Sequence, residues 1–188
     1  MIIIIDNYDS FTQNLAQCIG KLNYKIIVVR NNKISIQNIK RINPTHIILS
    51  PGPGKPEQSK ISLEIIKTYS KQIPILGICL GHQSIGYVFG GKIKKMKIPI
   101  HGQINKIIHN QQDLFKKLNN SFQATRYHSL IIDSLKFTKN LEITAWTSNG
   151  LIMACKHKEY QHLRGIQFHP ESLWTIKGES ILKNFLLL

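Results

Sequence analysis

The sequence is poor in cysteine, and its three cysteines show no pairing or metal-binding pattern. Cys18, Cys79 and Cys155 stand far apart in a chain of 188 residues, and none belongs to a CxxC pair or a Cys/His cluster. This spacing excludes the disulfide framework of small secreted domains, and it excludes the common zinc motifs. We therefore expect a protein of a reducing compartment that holds no metal ion.

Long apolar runs are also absent. No stretch approaches the roughly 18–20 apolar residues that a membrane-spanning helix needs. The first apolar run, Met1–Ile5, is followed at once by Asp6 and has neither a basic leader nor a cleavage site. It does not have the pattern of a signal peptide, and it lacks the Arg- and Ser-rich character of a transit peptide. We expect no membrane partner and no targeting segment.

Acidic residues are scarce relative to basic ones. Ten Asp and Glu residues oppose 25 Lys and Arg residues, which gives a formal net charge of +15. A charge of this size is common among proteins that bind nucleic acids. Here the basic residues are spread along the chain, with one dense cluster at Lys92–Lys97, and no nucleic-acid-binding motif accompanies them. We expect no nucleic-acid partner, and we interpret the cluster as a candidate docking surface for an acidic protein.

The first half of the sequence alternates regularly between strand-like and helix-like segments. Short apolar runs predict strands at Met1–Ile5, Lys25–Arg30, Thr45–Leu49 and Pro74–Ile78. The segments that follow each of these runs predict helices over residues 11–22, 34–41, 59–69 and 82–89. Strand–helix–strand repeats of this kind favour a parallel sheet that is covered by helices on both faces.

The second half of the sequence is dominated by short strand candidates separated by turns. They fall at Lys92–Ile98, Gln103–His109, Phe122–Tyr127, Glu142–Trp146, Leu151–Lys156 and Arg164–Phe168. These segments predict antiparallel additions to the sheet, and Thr175–Leu188 predicts a closing helix. Because no linker or repeat divides the chain, residues 1–188 are expected to form one α/β domain. Its central sheet should be open and largely parallel.

One cysteine lies where a predicted strand meets a predicted helix. Gly77 and Gly81 flank Cys79 and would permit a sharp turn that pushes the thiol out of the sheet. The free N–H groups at the start of the helix favour a thiolate and, later in a reaction, an oxyanion. Cys79 is therefore a candidate nucleophile at a strand-to-helix elbow, although a lone cysteine is more commonly buried and inert. We interpret Cys18 and Cys155 as such packing residues.

Two other segments end strands and could complete a site, since ligands of open α/β sheets bind at the carboxyl ends of the strands. In Ser50–Gly54 two prolines stiffen a loop whose glycine N–H groups stay approachable, which suits half of an oxyanion hole. The run Gly165–Glu171 delivers His169 and, two residues later, Glu171. Alternate residues of an extended segment point the same way, so the carboxylate could orient the imidazole as a base for Cys79.

These motifs, in this order, resemble those of the class I (triad-type) glutamine amidotransferases over essentially the whole chain. Gly77–Gln83 is similar to the nucleophile motif of that family, His169–Glu171 to its His-Pro-Glu motif, and Ser50–Gly54 to its oxyanion loop. The resemblance implies hydrolysis of L-glutamine by Cys79, His169 and Glu171, with no cofactor. It also implies a glutamine-binding site formed by Gly52, Pro53, Gly54, Leu80, Gln83, Ser129 and Leu130.

Two further segments, Asp6–Thr12 and Arg126–Leu130, resemble the chorismate-linked branch of the family. That branch contains the glutaminase subunits of anthranilate synthase and of aminodeoxychorismate synthase. It usually has a basic residue after a His-Gly pair, whereas this chain has Gln103 after His101-Gly102. The resemblance implies that ammonia passes to a separate chorismate-binding synthase subunit, in a heterodimer or a heterotetramer.

Several alternatives remain open on the sequence alone. Within the branch that the chain resembles, we expect tryptophan synthesis through anthranilate, and the alternative is folate synthesis through aminodeoxychorismate, or both. A stand-alone cysteine hydrolase could use the same elbow, and a binding module could have lost catalysis. The composition, rich in Ile, Lys and Asn, is typical of an AT-rich genome. It fits the stroma of a plastid (chloroplast) if the chain is plastid-encoded, and otherwise a bacterial cytoplasm.

Overall fold

One nine-stranded sheet organises the protein, and the computed structural model describes it over residues 1–188. The strands are β1 (Ile2–Asp6), β2 (Ile26–Arg30), β3 (His46–Leu49), β4 (Ile75–Ile78), β5 (Ile93–His109), β6 (Ser121–Ile132), β7 (Leu141–Thr147), β8 (Ile152–His157) and β9 (Leu163–Ile166). The helices are α1 (Thr12–Gly20), α2 (Ile36–Ile42), α3 (Lys60–Tyr69), α4 (Leu80–Val88) and α5 (Gly178–Leu186). None of these helices combines the length and the apolar character that crossing a membrane would take.

The sheet has a parallel half and an antiparallel half. Its strand order is β2-β1-β3-β4-β9-β8-β7-β5-β6. The first five strands in this order pair in parallel, and each later neighbour pairs antiparallel. The predicted α/β class is therefore confirmed, with a mixed and curled sheet.

The last strand corrects one expectation from the sequence. Arg164–Phe168 was predicted among the antiparallel additions, but β9 inserts between β4 and β8 and pairs in parallel with β4. Alternation of apolar residues identifies a strand without giving its direction or its neighbours, which is why the position of β9 was missed. The consequence is functional, because the carboxyl end of β9 now lies next to that of β4.

The long strand β5 corrects a second expectation. The sequence predicted two short strands, whereas Ile93–His109 forms one irregular strand of 17 residues. Its pairing with β6 shifts register between Lys95 and Ile100 and again between His101 and Gln103. Gly102 takes the left-handed value φ +67° at the second shift, which glycine adopts without steric cost. Gly102 therefore allows the pairing of the strand to shift here without ending the strand.

The first strand shows why the core has two sides. Side chains alternate between the two faces of a strand, and a strand of a doubly covered parallel sheet is apolar on both. Ile2 and Ile4 pack with α1 and α5 on one face, and Ile3 and Ile5 pack with α2, α3 and α4 on the other. All four side chains are fully buried. The run of isoleucines in the sequence therefore marks a central strand.

The junction between β4 and α4 depends on two glycines that touch each other. A Cβ atom added to Gly77 would clash with the carbonyl group of Gly81 and lie 2.8 Å from the backbone nitrogen of His82. A Cβ atom on Gly81 would lie 2.6 Å from the carbonyl oxygen of Leu49. The first turn of α4 therefore runs directly against the strand that precedes it, with Cys79 at the tip of the turn.

Replacing Gly77 by Ala should destabilise the protein strongly. The clash involves backbone atoms, which cannot rotate away, so we expect the free energy of unfolding to fall by about 3 kcal/mol. Urea-induced unfolding followed by circular dichroism measures this change. Gly20→Ala is the matched control, because a Cβ atom there meets only a methyl group at 3.9 Å. A loss in Gly77→Ala no larger than in Gly20→Ala would refute the close-packing argument.

Candidate active site

Cys79 occupies a strained turn between β4 and α4. Its backbone angles are φ 51° and ψ −98°, outside the regions that a residue with a side chain normally adopts. The conformation is held from both sides: the N–H of Cys79 donates to the carbonyl oxygen of Ile166 at 2.8 Å, and its carbonyl oxygen accepts from the N–H of Gln83 at 3.0 Å. Leu80 begins α4, so its N–H has no acceptor within the helix. The predicted elbow is present.

His169 and Glu171 form a buried pair beyond the end of β9. Nδ1 of His169 lies 2.6 Å from Oε1 of Glu171, and the two residues are 2% and 5% exposed. The backbone of His169 is fixed as well, because its N–H donates to Thr125 and its carbonyl oxygen accepts from the hydroxyl of Thr175. Nε2 of His169 is buried without a hydrogen bond of standard geometry, which leaves this atom available to a reacting group.

The electrostatics of the pair favour a charged imidazole. Burial lowers the pKa of His169, but the nearby sulfur of Cys79 and the carboxylate of Glu171 act more strongly in the other direction, so the net shift is upward. An imidazole with a raised pKa keeps its proton at neutral pH, and the proton that it holds can come from the thiol. The three side chains therefore suit a thiolate–imidazolium pair that is oriented by a carboxylate.

The loop Ser50–Gly54 is anchored by one buried asparagine. Asn7 donates from its backbone to the hydroxyl of Ser50 at 2.8 Å and from its side-chain amide to the carbonyl oxygen of Ser50 at 3.0 Å. A Cβ atom on Gly52 would lie 2.6 Å from Cβ of Asn7, so only glycine fits against this anchor. The N–H groups of Gly52 and Gly54 have no acceptor in the chain. Two donors are thus left free at the edge of the site.

An open cleft of about 360 Å³ joins the elbow to this loop. It is lined by Gly52, Pro53, Gly54, Cys79, Gln83, Tyr127, His128, Ser129 and Leu130. Six of the seven residues that the resemblance assigns to glutamine binding are in that set. The seventh, Leu80, lies beside it, since its Cδ2 atom is 3.1 Å from the position of a Cβ on Gly52.

One wall of the cleft is held by hydrogen bonds to a single carbonyl group. The carbonyl oxygen of Leu130 accepts from Nε2 of Gln83 at 2.9 Å and from Nδ1 of His128 at 3.1 Å. Nε2 of His128 accepts from Nε of Arg126 at 3.0 Å. Burial, together with the charge of Arg126, lowers the pKa of His128 to about 3, so this imidazole stays neutral and keeps one tautomer.

Asn7 and Gln167 belong to the site although the sequence did not single them out. Asn7 lies in the segment Asp6–Thr12 that carries the resemblance, but its partner Ser50 is 43 residues away. Gln167 directly follows β9 and precedes His169 by two residues, and its Nε2 atom is 3.5 Å from the sulfur of Cys79. The only available signal for Gln167 was its place between the apolar residues Ile166 and Phe168 of the predicted strand.

The other two cysteines are in different surroundings. Cys155 is fully buried, 3.5 Å from Nδ1 of His82, and burial raises the pKa of its thiol to about 12. Burial also lowers the pKa of His82 to about 3, so this second Cys–His contact is neutral on both sides. Cys18 is partly buried on α1, and burial raises the pKa of its thiol. Both agree with packing roles.

Thiol labelling should therefore separate the three cysteines. At neutral pH iodoacetamide should alkylate Cys79 of the native protein at least about a hundredfold faster than Cys155, because only a thiolate reacts and the Cys155 thiol stays protonated. Mass spectrometry of the cysteine peptides at successive times measures the rates. Unfolding in urea is the control, since it should bring the three rates together. Native labelling of Cys155 as fast as Cys79 would contradict this assignment.

Comparison with known proteins gives relatives that match nearly the whole chain. The sequence profile of the family described as "Glutamine amidotransferase class-I" matches residues 3–188. The chain is 63% identical to anthranilate synthase component 2 of Pyropia yezoensis over 186 residues, which cover 99% of this chain and 98% of that protein. It is 60% identical to the protein of the same name from Porphyra purpurea, with the same coverage of both chains.

More distant comparisons extend the pattern. The chain is 48% identical to anthranilate synthase beta subunit 1, chloroplastic, of Oryza sativa over 189 residues, which cover 98% of this chain and 66% of that protein. A solved structure from Thermoplasma acidophilum, described as a subunit of GMP synthase, shares the fold with a TM-score of 0.84 at 24% identity. The match covers 98% of this chain and 91% of that one. The chain therefore belongs to the class-I glutamine amidotransferase family.

Proposed function

We propose that this chain is the glutaminase subunit of an anthranilate synthase, which takes ammonia from L-glutamine for a chorismate-using synthase subunit. The observation that carries the proposal is the strained Cys79 beside the buried His169–Glu171 pair, at a cleft edged by free N–H groups. The names of the similar proteins from Pyropia yezoensis and Porphyra purpurea favour the anthranilate branch over aminodeoxychorismate synthesis.

The first half of the reaction would form a thioester on the elbow. Cys79 transfers its proton to Nε2 of His169, and the thiolate attacks the side-chain amide carbon of glutamine. The negative oxygen of the tetrahedral intermediate accepts from the N–H of Leu80 and the N–H of Gly52. His169 then gives its proton to the departing nitrogen, ammonia leaves, and the γ-glutamyl group stays on the sulfur.

The second half would return the enzyme to its starting state. His169 takes a proton from water, the resulting hydroxide attacks the thioester, and the same N–H groups hold the oxyanion. The sulfur leaves and regains the proton from His169, which releases L-glutamate. Glu171 remains an acceptor for Nδ1 of His169 throughout, so it keeps the ring oriented and stabilises its charged form.

Glutamine binding would rest mainly on backbone groups and small side chains. The cleft lining includes Gly52, Pro53 and Gly54 from the loop after β3, and Ser129 and Leu130 from β6. Two glycines allow the ligand to approach the main chain closely. The Ser129 hydroxyl can donate or accept, which suits the ammonium and carboxylate groups of a free amino acid.

The surface beside the triad suits a protein partner. Leu173, Trp174 and Ile176 follow Glu171 closely in the chain and are 94%, 65% and 75% exposed. Exposed apolar clusters next to a functional site commonly mark a docking surface. A docked synthase subunit would cover this patch and shield ammonia from solvent on its way to chorismate. The pair would form a heterodimer, or a heterotetramer of two such pairs.

The basic cluster Lys92–Lys97 is a second candidate for contact with the partner, but not all of it is free. Nζ of Lys94 lies 2.7 Å from Oδ1 of Asp133, so this charge is already paired within the chain. Lys92, Lys95 and Lys97 remain exposed. Charges of this kind act chiefly on the rate of association and weaken with salt.

We propose a plastid location for the chain. The Oryza sativa relative and one from Arabidopsis thaliana, 43% identical over 192 residues, are named as chloroplastic subunits. The proteins from Pyropia yezoensis and Porphyra purpurea come from algae, which also contain plastids. The alternative location is the cytoplasm of a bacterium.

Cys79→Ser tests the central step. In complex with the synthase subunit, glutamine-dependent anthranilate formation should be lost, because a serine hydroxyl is not ionised by His169 at neutral pH. Anthranilate formation from added ammonium chloride should continue at the wild-type rate, since the partner's site is untouched. Cys18→Ser is the matched control and should keep both activities. Glutamine-dependent turnover by Cys79→Ser at the wild-type rate would exclude Cys79 as the nucleophile.

The two other members of the triad should differ in importance. His169→Ala removes the group that transfers protons, so glutamine hydrolysis should fall about 10²–10⁴-fold. Glu171→Gln keeps a hydrogen-bond acceptor for Nδ1 but loses the charge that raises the pKa of His169, so its loss should be smaller. Steady-state glutamate release measures both, with the exposed Glu179→Gln as control. A larger loss in Glu171→Gln than in His169→Ala would reverse these roles.

A further inference from the structure

Gln167 is a buried polar side chain that the triad mechanism leaves without a task. It is fully buried, and its backbone is held in place because its N–H donates to the carbonyl oxygen of Met153 at 2.8 Å. Its side-chain amide lies between two residues of the site. Nε2 is 3.5 Å from the sulfur of Cys79, and Oε1 is 3.3 Å from Nε2 of Gln83.

The hydrogen bonds of Gln83 determine which way the amide of Gln167 points. Nε2 of Gln83 donates to the carbonyl oxygen of Leu130 at 2.9 Å and to Oε1 of Gln167 at 3.3 Å. A carbonyl group can only accept, so Leu130 requires the amide nitrogen of Gln83 on this side. Turning the amide of Gln167 over would set two NH₂ groups against each other. The NH₂ group of Gln167 must therefore face Cys79.

This orientation distinguishes the two protonation states of the sulfur. An amide NH₂ group is a donor only, so it stabilises a sulfur that accepts, and a thiolate accepts far better than a thiol. The thiol has another partner for its own proton, because Sγ of Cys79 lies 3.8 Å from the carbonyl oxygen of Tyr127. A donor that bonds to the charged form of a group favours that form.

We propose that Gln167 is a further catalytic residue, whose amide N–H stabilises the thiolate of Cys79 and whose orientation is set by Gln83. The proposal rests on the proposed function only in taking Cys79 as the nucleophile. His169 then supplies one stabilising group for the thiolate and Gln167 another. Gln83 also lines the cleft. A movement of its side chain would therefore change the orientation of the Gln167 amide, and with it the hydrogen bond to the sulfur of Cys79.

The test is the pH dependence of Cys79 alkylation in Gln167→Met, which keeps the length of the side chain and removes the donor. The rate of iodoacetamide labelling of the Cys79 peptide is measured by mass spectrometry from acid to alkaline pH. Loss of one hydrogen bond to a charged group should move the midpoint of this curve upward by about one pH unit. The rate below the midpoint should fall about tenfold. The alkaline plateau, which reports access to the sulfur, should not change.

Gln83→Leu tests the orientation step. It leaves Gln167 in place but removes the donor that holds its amide, so the midpoint should move in the same direction by a smaller amount. The exposed Gln161→Met is the matched control and should leave the curve unchanged. Gln167→Leu repeats the measurement with a second apolar side chain, should Gln167→Met prove poorly folded by circular dichroism.

The proposal is overturned if a folded Gln167 variant gives the wild-type midpoint, or if only its alkaline plateau falls. The first result would mean that the amide does not stabilise the thiolate, and the second that it serves packing alone. Labelling needs neither glutamine nor the partner, so its outcome is independent of the proposed anthranilate synthase activity. A wild-type complex without glutamine-dependent synthesis would refute that activity and leave the labelling curves interpretable.

Discussion

The left-handed backbone of Cys79 is the constraint on which the site depends. Such a conformation costs on the order of 1–3 kcal/mol and persists only where the surrounding structure enforces it. Here the enforcement comes from β4, which is paired on both sides, and from the contact between Gly77 and Gly81. The strained residue is thereby fixed between a central strand of the sheet and the start of α4. The sulfur is thereby held at the start of α4, 3.5 Å from Nε2 of Gln167 and 3.8 Å from the carbonyl oxygen of Tyr127.

The parallel half of the sheet brings the other parts of the site close to the strained Cys79. The carboxyl ends of β1, β3, β4 and β9 lie side by side, and each is followed by a segment that contributes to the cleft or supports it. Asn7, after β1, fixes the loop after β3, and His169, after β9, reaches the sulfur at the end of β4. Insertion of β9 beside β4 is therefore what brings the imidazole to the thiol.

The sequence allowed the local parts of this arrangement to be predicted. The elbow at Cys79, the loop at Ser50–Gly54 and the pair His169–Glu171 each depend on neighbours within a few residues, so short motifs reveal them. Most strands and all five helices were predicted for the same reason. The position of β9 was missed because pairing between strands that are distant in the chain leaves no local trace.

The roles of Asn7 and Gln167 were missed for that physical reason too. Asn7 acts on a loop 43 residues away, and the amide of Gln167 contacts a sulfur 88 residues away. Neither side chain differs in type from an ordinary capping or strand residue, and only the folded chain brings each to its partner. The sequence also predicted two strands where β5 is continuous, because proline and glycine usually end a strand and β5 contains Pro99 and Gly102.

Several groups at the cleft belong to the main chain: the carbonyl of Leu130 and the N–H of Gly52 in its lining, and the N–H of Leu80 beside it. Mutation alters side chains but leaves carbonyl and amide groups in place. A genome that drifts toward codons for Ile, Lys and Asn can therefore rewrite most of the surface without erasing the chemistry. Selection then has to hold only the residues that take part in the chemistry or shape the backbone, among them the triad, Gln167, Asn7 and the glycines of the elbow and the loop.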